Sequence, residues 1–171
     1  MQQELIERCK AGERQAQYRL YRMYSDAMYN ICVRMLKNEM DAEDVLQMSF
    51  VKIFKNLKQY QYKSTPGAWI KRIIINNCID FLKKRKMYFE EITDRIDVSK
   101  EEEEEPDYNV NIVKEAVNEL ALGYRAVFTL YAFEGYDHKE IAEIMGTSEA
   151  NSKSQYSRAK QHVKRIIRTK V

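Results

Sequence analysis

Residues 137–148 read DHKEIAEIMGTS, and this stretch contains the start and the end of one short helix. Asp137 followed three residues later by Glu140 is a capping box, in which each side chain accepts a hydrogen bond from the other residue's backbone N–H. The apolar side chains recur at helical spacing, and Gly146 ends the helix where a positive φ is needed. Ser148 can cap the next helix. The stretch therefore predicts a helix-turn-helix.

The segment after this turn is strongly basic. Beyond Glu149 the chain has no acidic residue. Its cations there are Lys153, Arg158, Lys160, Lys164, Arg165, Arg168 and Lys170. A helix-turn-helix with a basic second helix suits the DNA major groove, whereas an ordinary αα-hairpin with a solvated basic face is the alternative. The charge asymmetry favours DNA binding.

The predicted recognition helix has an apolar and a polar side. The residues expected to face the core are Ser152, Tyr156, Ala159, Val163 and Ile166. The residues expected to contact the bases and phosphates of a duplex are Lys153, Ser154, Gln155, Ser157, Arg158 and Lys160. Later cations such as Lys164 are expected to grip the phosphate backbone.

Composition and charge predict an all-α protein with two small helical modules. The 171 residues include only five Gly and two Pro, which favours long helices. Residues 1–86 contain 17 Lys and Arg against 9 Asp and Glu, residues 87–110 contain 2 against 10, and residues 111–171 contain 10 against 7. Two basic modules, 1–86 and 111–171, therefore flank an acidic connector, which the run Glu101 to Glu105 predicts to be a flexible linker.

Neither a disulfide framework nor a metal or cofactor site is indicated. Cys9, Cys32 and Cys78 are odd in number and widely spaced, and the two histidines are isolated, so we expect buried structural thiols. The N-terminus lacks an apolar signal segment, and no run is long enough to span a bilayer. We therefore expect a cytoplasmic protein that does not insert into a membrane.

The N-terminal module combines helical signals with an aromatic and cationic loop. Asp41 and Asp44 open one helix, and Thr65 with Pro66 opens another that carries Trp69. Between them Tyr60 and Tyr62 alternate with polar and cationic residues, a pattern that suits single-stranded nucleic acid because bases stack on rings while amines hold phosphates. The residues predicted to contact a single strand are Tyr60, Gln61, Lys63, Lys71, Arg72 and Asn76. Alternatively, the aromatic side chains simply fill a helical core.

These motifs, in this order, resemble the extracytoplasmic-function group of bacterial RNA polymerase sigma factors in the sigma-70 superfamily. The segment 41–47, DAEDVLQ, is similar to the region 2 helix that docks on the polymerase clamp. The residues that match the family pattern Trp-x-x-x-Ile-x-x-Asn-x-x-x-Asp are Trp69, Ile73, Asn76 and Asp80. Segments 124–130, 134–136, 140–142, 146–149, 153–155 and 158–160 are similar to region 4.

The resemblance implies a function in transcription initiation. Region 2 of such proteins binds the clamp of core RNA polymerase and reads the melted downstream (−10) promoter element, and region 4 binds the β flap and reads the duplex upstream (−35) element. The residues that the resemblance assigns to core polymerase binding are Asp41, Asp44 and Gln47. An anti-sigma factor is a further implied partner. The acidic linker either mimics nucleic acid in the polymerase channel or acts as a solubilising spacer.

Three residues depart from the family pattern, and two other classes of protein remain as alternatives. Met48 replaces a common acidic residue, Pro66 a frequent aromatic residue, and Ser152 a usual valine that packs the recognition helix. A DNA-binding regulator that acts without polymerase leaves the Asp44 and Trp69 motifs unexplained. A nuclease needs a carboxylate or histidine cluster, whereas most acidic residues here lie in the linker or at helix caps, so we expect no catalytic residues.

Overall fold

A computed structural model describes residues 1–85 and 109–170. The chain divides into two compact units, Met1–Phe81 and Leu82–Val171. The regular structure of the described residues is helical throughout, so the predicted all-α fold with two helical modules is confirmed. The predicted acidic linker, 87–110, lies outside the described residues except for Asn109 and Val110. Within the described ranges, no helix combines the length and the hydropathy needed to cross a membrane.

The N-terminal unit is built from four α-helices. They are α1 (Gln2–Lys10), α2 (Arg14–Leu36), α3 (Glu39–Asn56) and α4 (Pro66–Lys84), with a single 3-10 turn, Leu57–Gln59, directly after α3. The start of α4 is as expected, since the Thr65 hydroxyl accepts a hydrogen bond from Ala68 N–H at 3.2 Å. The cap of α3 is Asn38, whose side chain accepts from Asp41 N–H at 3.0 Å. The helix therefore begins earlier than Asp41.

The core of this unit is mainly apolar; its buried polar residues among those described are Ser25, Ser49 and Asn77, and the last two belong to a polar cross-link between α3 and α4. Asn77 donates from its amide to the Ser49 hydroxyl at 2.8 Å, and Lys52 donates to the Asn77 carbonyl oxygen at 2.9 Å. The three cysteines are buried and free, as expected. The sulfur atoms of Cys32 and Cys78 lie 3.7 Å apart. The polar link fixes the register between α3 and α4, because an unpaired buried amide is costly.

The C-terminal unit is built around one long helix. Its elements are α5 (Val110–Glu119), α6 (Leu122–Phe128), a π-helical segment Thr129–Phe133, α7 (His138–Met145) and α8 (Glu149–Lys170). Residues of α5, α6 and α8, with Leu120 directly after α5, form one core cluster, and its buried members are Ala116, Val117, Leu120, Tyr124, Phe128, Ala159, Val163 and Ile167. Because α8 supplies part of this core along its length, its rotation about its own axis is set by packing.

The expected inner side of α8 is largely confirmed. Ser152, Ala159 and Val163 are buried, and Tyr156 and Ile166 are half-buried and pack against the cluster. Two residues also lie inside that were not expected there: Gln155, which is 3% exposed, and Ile167, which is 1% exposed. Gln155 lies three residues after Ser152 and four before Ala159, so it falls on the same helical stripe.

Replacing Gly146 with alanine is expected to destabilise the helix-turn-helix. Gly146 ends α7 with φ of 67°, and this left-handed conformation costs a residue with a Cβ atom about 1–2 kcal/mol. Amide hydrogen exchange in α7 and the start of α8 should therefore accelerate about 5- to 30-fold. Gly146→Asn should cost less, because asparagine tolerates this conformation. Equal protection in Gly146→Ala and the parent chain would contradict the assignment.

Candidate nucleic-acid and protein interfaces

The loop between α3 and α4 is anchored by Tyr60. Its N–H donates to the Leu57 carbonyl at 3.1 Å, and its hydroxyl donates to the Ser64 carbonyl. The Tyr60 side chain is only 4% exposed. The loop, residues 60–64, is therefore closed around a buried ring.

Three aromatic rings lie in a row across this loop. The Tyr60 ring centroid lies 5.1 Å from that of Trp69 and 4.7 Å from that of Tyr62. Tyr62 is 39% exposed, so it is the outer ring of the row. Its φ is 58°, a left-handed conformation that costs about 1–2 kcal/mol for a residue with a side chain. The structure thus presents Tyr62, and not the predicted Tyr60, at the surface.

A cavity of about 170 Å³ opens beside these rings. The residues that line it are Gln59, Tyr60, Gln61, Lys63, Ser64 and Trp69. It is smaller than the roughly 300–1,000 Å³ of typical small-molecule sites, so it has room for one flat group. Three of the residues predicted to contact a single strand meet here: Tyr60, Gln61 and Lys63.

The other predicted single-strand residues lie on α4. Arg72 is half-buried and Asn76 is exposed. Both share a helix face with Trp69, since they lie three and seven residues after it. Lys71 is half-buried and lies about 100° around the helix from Arg72. The helix face of Trp69 therefore also carries a guanidinium and an amide, with an ammonium beside it.

A strip of acidic, amide and apolar side chains runs along the exposed side of α3. Asp44 and Gln47, predicted to bind core polymerase, are exposed, and Asp41 is half-buried. The exposed apolar residues that lie four positions from Asp44 or Gln47 are Met40, Met48 and Val51. This α3 strip includes Met40 and Val51, which sequence reasoning missed; their spacing from the polar pair was the available signal.

Both helices of the helix-turn-helix, α7 and α8, begin with the predicted caps. Asp137 Oδ1 accepts from Glu140 N–H at 2.8 Å, and Glu140 Oε2 accepts from Asp137 N–H at 2.9 Å, which completes the capping box. The Ser148 hydroxyl accepts from Asn151 N–H at 3.1 Å. These caps and the left-handed Gly146 fix the direction in which α8 leaves the turn.

The polar side of α8 carries most of the residues predicted to contact a duplex. Lys153 and Ser154 are exposed at its start, and Ser157, Arg158 and Lys160 are half-buried. Lys153 forms an ion pair with Glu149 at 2.8 Å. The Arg158 Nε is buried and has no hydrogen-bond partner among the described residues. Gln155 is buried in the core and is not on this surface.

Ser152 links the two helices of the motif. Its hydroxyl oxygen lies 2.9 Å from His138 Nδ1, within hydrogen-bonding distance. The His138 ring stacks on Tyr131 with centroids 4.5 Å apart. Burial, and then the charge of Lys153, lower the pKa of His138. The serine in place of the usual valine therefore contributes a polar contact between α7 and α8.

The described residues do not assemble a metal site. Within residues 1–85 and 109–170, no group of three or more His, Cys, Asp or Glu side chains is placed to hold a metal ion. The chemistry that these surfaces offer is stacking, hydrogen bonding and charge attraction.

Two family models match the chain in the order of its two units. Residues 20–87 match the model described as Sigma-70 region 2, and residues 111–163 match the model described as Sigma-70, region 4. The first match includes the aromatic loop, α4 and the α3 strip. The second includes the helix-turn-helix.

Relatives of known family span most of the chain. The ECF RNA polymerase sigma factor SigM of Bacillus subtilis (strain 168) is 32% identical over 152 residues, which cover 86% of this chain and 92% of SigM. The RNA polymerase sigma factor SigV of the same organism is 31% identical over 134 residues, which cover 77% of this chain and 78% of SigV.

Two solved structures share the fold. The sigma factor RpoE of Bartonella quintana, solved in complex with the anti-sigma factor NepR, has a TM-score of 0.59 at 19% identity and covers 88% of this chain and 96% of its own. CnrH, solved in complex with the cytosolic domain of CnrY, has a TM-score of 0.59 at 19% identity and covers 99% of both chains. Because SigM is 32% identical along nearly its whole length and both family models match in order, this chain belongs to the extracytoplasmic-function group of RNA polymerase sigma factors, and it acts in promoter-directed transcription initiation.

Proposed function

We propose that the two modules divide promoter recognition between them. Residues 1–86 bind core RNA polymerase and the melted downstream element, and residues 111–171 bind the duplex upstream element and the β flap, with 87–110 as the linker. The observation that carries this proposal is the aromatic cavity of about 170 Å³, which is lined by Lys63 of the loop and by Trp69 of α4. A cavity for one flat group beside cations is what an unstacked base on a single strand requires.

The downstream element is bound at the loop and along α4. One base enters the cavity beside Trp69, and Gln61 and Asn76 offer amides to base edges. Lys63, Lys71 and Arg72 hold the phosphates of the strand. Tyr60 supports the cavity from below, because its ring is buried against Trp69. Base stacking on such rings is worth about 1–3 kcal/mol per base, which helps to offset the cost of unpairing the duplex.

The α3 strip is the surface for the polymerase clamp. Asp41, Asp44 and Gln47 bond to cationic side chains of the clamp through charge-assisted hydrogen bonds. Around them the α3 strip offers Met48, which is 45% exposed, and Val51, which is 53% exposed. Methionine is enriched at protein interfaces, and an apolar centre with polar neighbours is their usual composition.

The upstream element is bound by the exposed start of α8. Lys153, Ser154, Ser157 and Arg158 reach the bases and phosphates of the major groove, and Lys160 contacts the backbone. Gln155 acts from the core side of the helix, where it helps to set the orientation of α8. The later cations contribute attraction that does not depend on sequence.

An anti-sigma factor is a further proposed partner. RpoE, which shares this fold, was solved in complex with the anti-sigma factor NepR. Because the chain acts through polymerase and DNA, we place it in the cytoplasm, without insertion into a membrane and without a cofactor or catalytic residues of its own.

Removing the polar pair on α3 should weaken polymerase binding. Hydrogen bonds to charged groups contribute about 1.5–3 kcal/mol, so Asp44→Ala with Gln47→Ala should lower affinity for core polymerase tenfold or more, measured by co-purification and titration. Both side chains are exposed, so folding should be unaffected. Asp26→Ala, which removes an exposed carboxylate from α2, is the matched control. Undiminished binding by the double variant would contradict the assignment of the clamp surface.

Truncating Tyr60 should impair promoter opening. Tyr60→Ala removes the ring that packs against Trp69 and lines the cavity, so the base loses its stacking surface. Because a base–aromatic stack is worth about 1–3 kcal/mol, the loss should be on the order of tenfold. Tyr60→Phe keeps the ring and should lose much less. Lys71→Ala with Arg72→Ala should also reduce opening. The measurement is permanganate reactivity of downstream thymines, and a pre-melted template should partly restore Tyr60→Ala. Full reactivity in all of these variants would exclude the loop as the downstream site.

Two cations of α8 should behave differently at the upstream element. Arg158→Ala should cost about 1–3 kcal/mol and relax preference at one position, as expected for a contact with a base edge. Arg158→Lys keeps the charge but should relax preference similarly, because it lacks the planar fork. Lys164→Ala should weaken all sites evenly and lower the salt dependence. A promoter-library selection in which Arg158→Ala changes only the downstream preference would reverse the assignment of the modules.

A further inference from the structure

The aromatic loop, residues 60–64, contacts α1, a helix that precedes the region 2 match at residues 20–87. The Tyr62 hydroxyl donates to Glu7 Oε1, across 55 residues of sequence. Lys10 Nζ lies 4.5 Å from the centroid of the Tyr62 ring and donates to the Tyr60 carbonyl at 3.3 Å. The same ammonium donates to Glu7 Oε1 at 3.0 Å. Glu7 and Lys10 therefore contact the loop through its outer ring and its backbone.

Two of these contacts involve Tyr62, whose backbone is strained. Tyr62 has φ of 58°, and such a conformation persists only where the surroundings hold it. The hydroxyl and the ring of Tyr62 are each held by a residue of α1. If α1 is uncoupled, Tyr60 keeps its bonds to Leu57 and Ser64 but loses the one from Lys10. Tyr62 then keeps the contact of its ring with Tyr60 but loses both contacts with α1, so its strained backbone can relax.

The charges of Glu7 and Lys10 allow them to lie near a single strand of nucleic acid. A carboxylate near a single strand repels its phosphates unless a cation compensates it, and Lys10 lies directly against Glu7. The hydrogen bond from Tyr62, and then that from Lys10, lower the pKa of Glu7. Glu7 is therefore ionised at neutral pH, where it accepts both bonds while Lys10 balances its charge.

We propose that Glu7 and Lys10 of α1 are positioning residues for promoter opening: they hold Tyr62 in its left-handed conformation, so that the loop and its cavity are formed before the strand arrives. This inference rests on the proposed function of the loop as the downstream site. A preformed loop loses less conformational freedom on binding, so the pair acts by preorganisation and need not touch the DNA.

The experiment uses the full chain, alone and assembled with core polymerase. Lys10→Met removes the cation, and Lys10→Arg restores one. Tyr62→Phe removes the hydroxyl and keeps the ring. The matched control is Arg8→Met, which removes another cation of α1 whose ion-pair partner is Glu13 and not the loop. Circular dichroism checks that each variant retains its helices.

Two readouts separate the conformation of the loop from its function. Trp69 is the single tryptophan of the chain and lies in the aromatic row, so acrylamide quenching of its fluorescence reports whether the loop is formed. Permanganate reactivity of downstream thymines in the assembled enzyme reports opening. Lys10→Met and Tyr62→Phe should increase quenching, and Lys10→Met should reduce opening about two- to fivefold, as expected from the loss of one cation–ring contact. Lys10→Arg and Arg8→Met should behave like the parent chain.

The remaining outcomes overturn the proposal in distinguishable ways. Unchanged quenching in Lys10→Met and Tyr62→Phe means that α1 does not hold the loop. Altered quenching with normal opening means that the held conformation is not used; Tyr60→Ala then decides whether the loop itself acts in opening. If Tyr60→Ala impairs opening, only the positioning role fails, and if it does not, the proposed downstream site fails as well. Equal loss of opening in Arg8→Met would attribute the effect to overall charge.

Discussion

The packing of the Tyr60 ring against Trp69 determines the shape of the N-terminal site. It ties the end of α3 to the first turns of α4, so the chain between the two helices cannot relax into an open connection. With its own hydroxyl bonded to the Ser64 carbonyl, Tyr60 turns a short polar loop into a closed one with a cavity at its side. Lys63 and the exposed ring of Tyr62 belong to the loop that this buried contact closes, and Glu7 and Lys10 of α1 hold the Tyr62 side chain.

In the C-terminal unit, one helix, α8, contributes both to the core and to the proposed DNA-binding surface. The side of α8 that carries Ala159 and Val163 is part of the core, and the other side carries the cations and hydroxyls. A helix that is packed along its length cannot rotate without exposing apolar surface, so its outer residues are presented in a fixed order. The caps at Asp137 and Ser148 and the left-handed Gly146 fix the direction in which α8 leaves the turn.

The two proposed DNA sites therefore use different physics. A duplex offers grooves that a rigid helix can enter, and recognition depends on polar groups along that helix. A single strand has no groove, and recognition depends on a ring or a cavity that replaces the stacking that the base has lost. The α3 strip differs from both, because it combines carboxylate and amide groups with exposed methionine and valine, a composition suited to a protein partner.

The sequence alone determined the helical class, the helix-turn-helix, the caps at Asp137 and Thr65, and the family, because each of these depends on residues three or four positions apart or on the order of motifs. Only the tertiary structure decided that Tyr60 is buried while Tyr62 is exposed, and that Gln155 lies in the core. Two alternating tyrosines have the same local signal, and their burial depends on partners that are distant in the chain. The bond between Glu7 and Tyr62 spans 55 residues, and no periodicity or spacing in a single sequence encodes such a pair.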